Sequence, residues 1–151
     1  MVSKKSISIC IIVSFLLVFV NIATANAQSS IEQIINNIDN ILQANPLPPG
    51  QKGQQIKVAE SETATILVGR SIEGSISAKP HIHKTHDETL YIVRGTAQLF
   101  IDGKWVDFNA GGIHFNPMGK AHAVRHVGKE PMVVISIFSP AMKEPDRHFV
   151  E

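Results

Sequence analysis

The 151-residue sequence predicts an all-β fold, a sandwich or barrel of short strands, preceded by one amphipathic helix. Three observations carry that expectation. From residue 54 onward, apolar side chains recur in short runs punctuated by Gly, Pro and Asn, with no helical period between them. Inside that series Asp102-Gly103 joins two alternating runs, a dipeptide well suited to a two-residue hairpin. The three-and-four spacing of a helix face occurs upstream, at Ile31, Ile34, Ile35, Ile38, Ile41 and Leu42.

Taken in order, the chain starts with Lys4 and Lys5, an apolar run over 7–20 and Ala25-Asn26-Ala27. A charged start, a short apolar centre and a small-residue site predict a secretory signal peptide, residues 1–27, cleaved after Ala27. The run is shorter than the ~20 residues of a spanning helix. A secreted or periplasmic protein is therefore expected, with no membrane association after cleavage. Cleavage takes the single cysteine, Cys10, so the mature chain has no thiolate to offer as ligand or nucleophile and no disulfide. It also leaves twelve Lys and Arg against thirteen Asp and Glu, a net charge of −1. That balance gives no basic footprint for nucleic acid.

Residues 28–53 read as the helix, about 31–43, and a stiff Pro-rich connector. Ser30 and Gln33 have capping-box spacing, and Asn45-Pro46 with Pro48-Pro49-Gly50 ends the pattern. Its Ile stripe is expected to lie on the outside of a sheet. Residues 54–139 form the barrel, with strands near 55–60, 64–70, 75–78, 88–94, 96–101, 105–108, 113–116, 121–127 and 132–138. The tail, 140–151, has little periodicity and is expected to run back over the surface.

Within 80–95, PHIHKTHDETLYIVRG, His81 and His83 are two apart. In an extended segment both imidazoles face one side. The polar stretch 84–87 can turn the chain and return Glu88 beside them. Two nitrogens and a carboxylate oxygen suit a first-row divalent metal. His122 follows the turn Pro117-Met118-Gly119-Lys120-Ala121 and is the best candidate for a further ligand. Leu90 and Ile92 should share the Glu88 face as an apolar floor, while Tyr91 should point away. His114 and Asn116 alternate on one short strand, which suggests either a lined cavity or an outward polar face. His86 reads as an exposed turn histidine.

These residues resemble the two cupin motifs. His81-x-His83, four residues, Glu88, six residues and Gly95 match the first. Gly111, five residues, Pro117-x-Gly119, two residues and His122 match the second. The resemblance covers about 64–138 and implies a double-stranded β-helix, the cupin jelly-roll barrel. It also implies one divalent metal held by His81, His83, Glu88 and His122. Two departures stand out. Six residues, instead of five, separate Gly74 from His81, and His126 occupies the place of the second motif's usual Asn. His126 lies roughly 13 Å beyond His122 along an extended strand, too far to share the ion, and is read as a pocket or core residue.

A three-His, one-Glu set does not select among Fe, Mn, Ni, Co and Zn. The expected function is an exported metal-dependent enzyme, of dioxygenase type, acting on a small oxygen-bearing substrate; isomerase or lyase chemistry also occurs on similar barrels. The alternative is a non-catalytic cupin module that binds a metal or small ligand. Similar barrels commonly pair through their sheets, so a homodimer is expected.

Overall fold

In the computed structural model the described residues are 37–73, 75 and 79–150. The signal segment, the first half of the expected helix, Gly74 and most of the run 75–78 lie outside them. Helix α1, Ile38–Ala44, ends one residue later than its periodicity suggests. The Asn37 side chain accepts the Asn40 N–H at 2.8 Å, an N-cap, and Asp39 sits in the first turn where the helix dipole favours it. Asn45 closes the other end, its backbone and side-chain N–H groups both reaching the Ile41 carbonyl. None of the residues of α1 is fully buried; Ile38, Ile41 and Leu42 are half-buried.

Among the described residues ten strands follow: β1 Gly53–Glu60, β2 Thr65–Ser71, β3 His81–Ile82, β4 Asp87–Arg94, β5 Ala97–Ile101, β6 Lys104–Asp107, β7 Ile113–Asn116, β8 Ala123–His126, β9 Met132–Ser139 and β10 His148–Phe149. One sheet has the order β1-β2-β9-β4-β7. The other strands form a β6-β5-β8 ladder and a β10-β3 ribbon, and an antiparallel bridge between His81 and His122 connects them just before β8. Every pairing is antiparallel. This is the expected double-stranded β-helix.

The turns explain themselves. Asp102 and Gly103 have φ of 47° and 76°, the paired left-handed values that a type I′ hairpin needs. Gly95, at φ 88°, ends β4 where a Cβ would fall 2.7 Å from the Met132 Cα. No other residue fits there, and the close approach lets β4 leave the sheet and feed β5. Strand β10 lies in the tail, which returns onto β3: His148 pairs with Ile82 and Phe149 with His81.

The apolar core is Leu90, Ile92, Ala97, Leu99, Phe108 and Met132, drawn from both sheets. Ile92 has no exposed surface, and burying a side chain of that size is worth about 1.5–3 kcal/mol. On the opposite face of β4, Tyr91 is exposed as its alternation predicts.

Candidate metal centre

Two short backbone contacts bring the histidines together. His81 and His122 exchange both N–H···O=C bonds, each 3.0 Å, so their side chains stand next to each other on one face. The turn before His122 is locked onto the first motif. Its Gly119 N–H donates to the His83 carbonyl at 2.7 Å, and its Met118 N–H donates to the Asp87 carboxylate at 2.7 Å. Strand β4 then carries Glu88 inward from below.

The four residues singled out in the sequence converge. His81, His83 and His122 each offer a ligating nitrogen, all within 4.8 Å of one another, and all three rings are buried. Glu88 Oε2 is 2.9 Å from His122 Nε2 and 3.6 Å from His83 Nε2. The second distance is an ion-pair contact rather than a hydrogen bond.

The outer nitrogens fix the tautomers. His81 Nδ1 is 3.0 Å from the Lys79 carbonyl, His122 Nδ1 is 3.0 Å from that of Lys120, and His83 Nδ1 is 2.6 Å from that of Asp146. A carbonyl can only accept, so each Nδ1 carries its proton and donates. That leaves the Nε2 of His81 and of His83 with a lone pair, the arrangement by which a ligating histidine is oriented, while His122 Nε2 hydrogen-bonds the Glu88 carboxylate. His83 Nε2 is buried with no hydrogen-bond partner. A buried polar atom of that kind is costly unless something accepts its lone pair. The donor set and this orphaned nitrogen fit a divalent cation.

The electrostatics agree. Burial pushes His81 down to about 4, so it is neutral at physiological pH. For His83 burial acts the same way, but the Glu88 carboxylate and the Asp146 carbonyl outweigh it and the net direction is up. Burial would raise Glu88, yet contacts with His122 and His83 bring it down to about 2. The centre is therefore one ionised carboxylate among imidazoles ready to bind or to pair.

A cavity of about 560 Å³ opens onto this centre. Its floor is His81, Glu88 and His122; Leu90, Val124 and Val134 give apolar wall, and Gln51, Gln54 and Gln55 give amides. Leu90 lines it as expected. Ile92, on the same face of β4, is sealed in the core instead. Asn116 is buried opposite Glu88, with its Nδ2 unpartnered, and His114 is half-buried with its ring edge-on to Phe108 at 6.4 Å. Both are turned away from solvent, and neither lines this cavity. His126 Nε2 lies 2.8 Å from the Glu130 carbonyl and the residue lines a neighbouring opening with Val124, Met132 and Arg147, consistent with a pocket residue.

His86 corrects the sequence reading. It is 1% exposed, not a solvated turn residue. Its ring packs 4.5 Å from that of His83 and edge-on to Phe138 at 4.9 Å. The cause is the tail. Asp146 Oδ2 accepts from the Lys84 N–H, the Thr85 N–H and the Thr85 hydroxyl at 2.8, 2.7 and 2.6 Å, and roofs the turn. Those bonds, with one from His148, hold the Asp146 carboxyl far below the usual range although burial opposes it. The sequence reading passed over Asp146 entirely. No local pattern marks it, because its partners lie more than sixty positions earlier.

Comparison with known proteins bears on the fold. Residues 70–138 match the family model described as the cupin domain. An uncharacterized protein of Aquifex aeolicus (strain VF5) is 33% identical over 75 residues, half of this chain; the chain spans 61% of that relative's length. Among solved structures, a protein with a double-stranded β-helix domain from Klebsiella pneumoniae has a TM-score of 0.60 at 21% identity, over 70% of this chain and 84% of that one. KdgF from Halomonas sp. has a TM-score of 0.55 at 24% identity, over 64% and 85%. A Thermotoga maritima protein described as a predicted oxalate decarboxylase has a TM-score of 0.54 at 19% identity, over 58% and 80%. At these identities the structures speak for the fold alone.

Proposed function

With a cupin domain over residues 70–138 as the premise, we propose that this protein is an exported, metal-dependent cupin enzyme acting on a small oxygen-bearing substrate. His81, His83, Glu88 and His122 hold one divalent ion, of Fe, Mn, Ni, Co or Zn. The observation that carries this is the buried, partnerless His83 Nε2 at the meeting point of three imidazoles whose other nitrogens are all committed to backbone carbonyls.

When bound, the ion supplies Lewis-acid or oxygen chemistry. The protein's own residues do the rest. His81 stays neutral and ready to ligate, Glu88 stays ionised, and Leu90, Val124 and Val134 keep water from one side of the cavity. Dioxygenase-type turnover fits best, because three imidazoles and one carboxylate leave positions open on an ion that prefers five or six ligands. A second reading, a non-catalytic cup, is favoured by the amide wall of Gln51, Gln54 and Gln55, which can hydrogen-bond a ligand but not move its protons. Residues 1–27 direct export, and a homodimer forms through the outer face of the larger sheet.

The test is metal content of the mature form by elemental analysis. One equivalent is expected, lost in the His81→Ala, His122→Ala double variant; full retention there would sink the ligand assignment. Protein loaded with Fe(II) or Mn(II) is then assayed for oxygen uptake with enediols, diketones and phenols. No uptake alongside tight ligand binding selects the non-catalytic reading.

A further inference from the structure

We propose that the cavity takes a small carboxylate, with Arg147 of the C-terminal tail gripping the carboxylate while the other end of the molecule lies at the metal centre. The inference deepens the proposed function and rests on it for the second half of that statement.

The position of Arg147 is fixed from both sides. Before it, Asp146 is buried and bonded to Lys84 and Thr85; after it, His148 and Phe149 pair with Ile82 and His81 in β10-β3. The tail is thus pinned beside a metal-ligand residue, and Arg147 lines the cavity that holds His81, Glu88 and His122. Its charge is felt there, as one of the influences, after burial, that keep His81 neutral.

Among the described residues no acceptor claims that charge. The adjacent Asp146 carboxylate is spent on the Lys84 and Thr85 donors and on His148. The other guanidinium lining the cavity, that of Arg70, is occupied differently: it donates to the Leu42 and Asn45 carbonyls and to Gln54 Oε1. Arg70 is wall. Arg147 is an exposed cation at the rim, in a tail pinned on both sides.

Charge fixes the ligand's sign. Among the described lining residues the charged side chains are Arg70, Arg147 and Glu88, and Glu88 is already paired with imidazoles. A divalent ion makes the interior more positive still. An anion is favoured, and one free planar guanidinium matches one planar carboxylate in two parallel bonds. The apolar wall of Leu90, Val124 and Val134 suits a short carbon skeleton.

The experiment is calorimetric titration of Mn(II)-loaded protein with pyruvate and 2-oxoglutarate, with pyruvamide and inorganic phosphate as controls. Arg147→Gln is expected to weaken carboxylate binding about 10- to 100-fold, the scale of a lost charge-assisted pair, with metal content unchanged. Arg147→Lys should fall between, since it restores charge but not the fork. Equal affinity in Arg147→Gln, or pyruvamide or phosphate binding as tightly as pyruvate, would overturn the proposal. The same titration is followed by NMR in metal-free protein. Arg147-dependent carboxylate binding in protein that takes up no metal supports this inference and sinks the metal reading. Metal uptake with carboxylate binding indifferent to Arg147 does the reverse.

Discussion

Strand β4 passes through two interiors. At one end its inward face presents Glu88 to His83, His122 and Asn116; at the other it presents Leu90 and Ile92 to Ala97, Leu99, Phe108 and Met132. Both ends are buried to the same degree. The apolar end gains free energy from every side chain it hides. At the polar end each buried group must be matched, and the matching is done by backbone carbonyls, by the tail and by whatever completes His83 Nε2. One end therefore supplies stability. The other spends it on a pre-arranged set of donors.

The sharpest way to break this contrast is at the apolar end. Ile92→Ala should cost about 2–5 kcal/mol, read as a lowered urea midpoint at unchanged slope. The folded fraction should still take up one metal. Next comes the polar end. Metal at 1,000 times its dissociation constant should raise stability by about 4 kcal/mol, and His122→Ala should remove that increment. If metal stabilises His122→Ala as much as the wild type, the polar end is not the site.

Most of this contrast was legible in the sequence. Alternation placed Glu88, Leu90 and Ile92 on one face and Tyr91 on the other, since a strand's period is local. The motif spacing brought His81, His83 and His122 together, and Asp102-Gly103 fixed the hairpin. The tail was not legible. Asp146, strand β10 and the burial of His86 arise from contacts between segments far apart in sequence, and a turn histidine looks the same whether or not a distant strand roofs it. That roof can be tested. Asp146→Ala frees three donors of the 84–85 turn and loosens the carbonyl that orients His83. Metal affinity should fall about 10- to 100-fold by chelator competition. Asp146→Asn, which keeps an acceptor oxygen, should lose less.

Acid should act chiefly on the polar end. His81 titrates near 4 in the folded protein against 6.5 ordinarily, because burial disfavours its charge. The unfolded chain therefore takes the proton first, and metal-free stability should decline as pH falls from about 6.5 to about 4. Glu88, lowered to about 2, adds a contribution that is present above about 4.5 and lost as pH falls towards 2. His83 is shifted up and has the opposite sign: its contribution is present below about 6.5 and is lost as pH rises through its higher folded value. Urea midpoints in chelator should thus peak near neutrality. In His81→Gln the limb between 6.5 and 4 should flatten, whereas Ile92→Ala should lower the whole curve without changing its shape. An unchanged limb in His81→Gln would place the acid sensitivity elsewhere.

The smallest expected effect on stability lies outside both interiors. On the outer face of the larger sheet, Ile113 and Phe115 of β7 are 71% and 55% exposed. Cross-strand register sets Tyr91 beside Ile113 and Ile135, and Thr89 beside Phe115 and Ile137, so these side chains make two apolar rows on adjacent strands. A patch of one kind on one face can meet its own copy across a two-fold axis, which is the form a dimer contact takes. Phe115→Glu leaves the buried faces of β4 and β7 untouched, so stability per chain should move by no more than about 0.5 kcal/mol and metal uptake not at all. What should change is mass. Sedimentation should give a dimer for the wild type and a monomer for the variant, because two like charges would face each other across the axis. A wild-type monomer at high concentration would leave these rows as ordinary surface and remove the dimer from the reading, with the contrast between the two interiors intact.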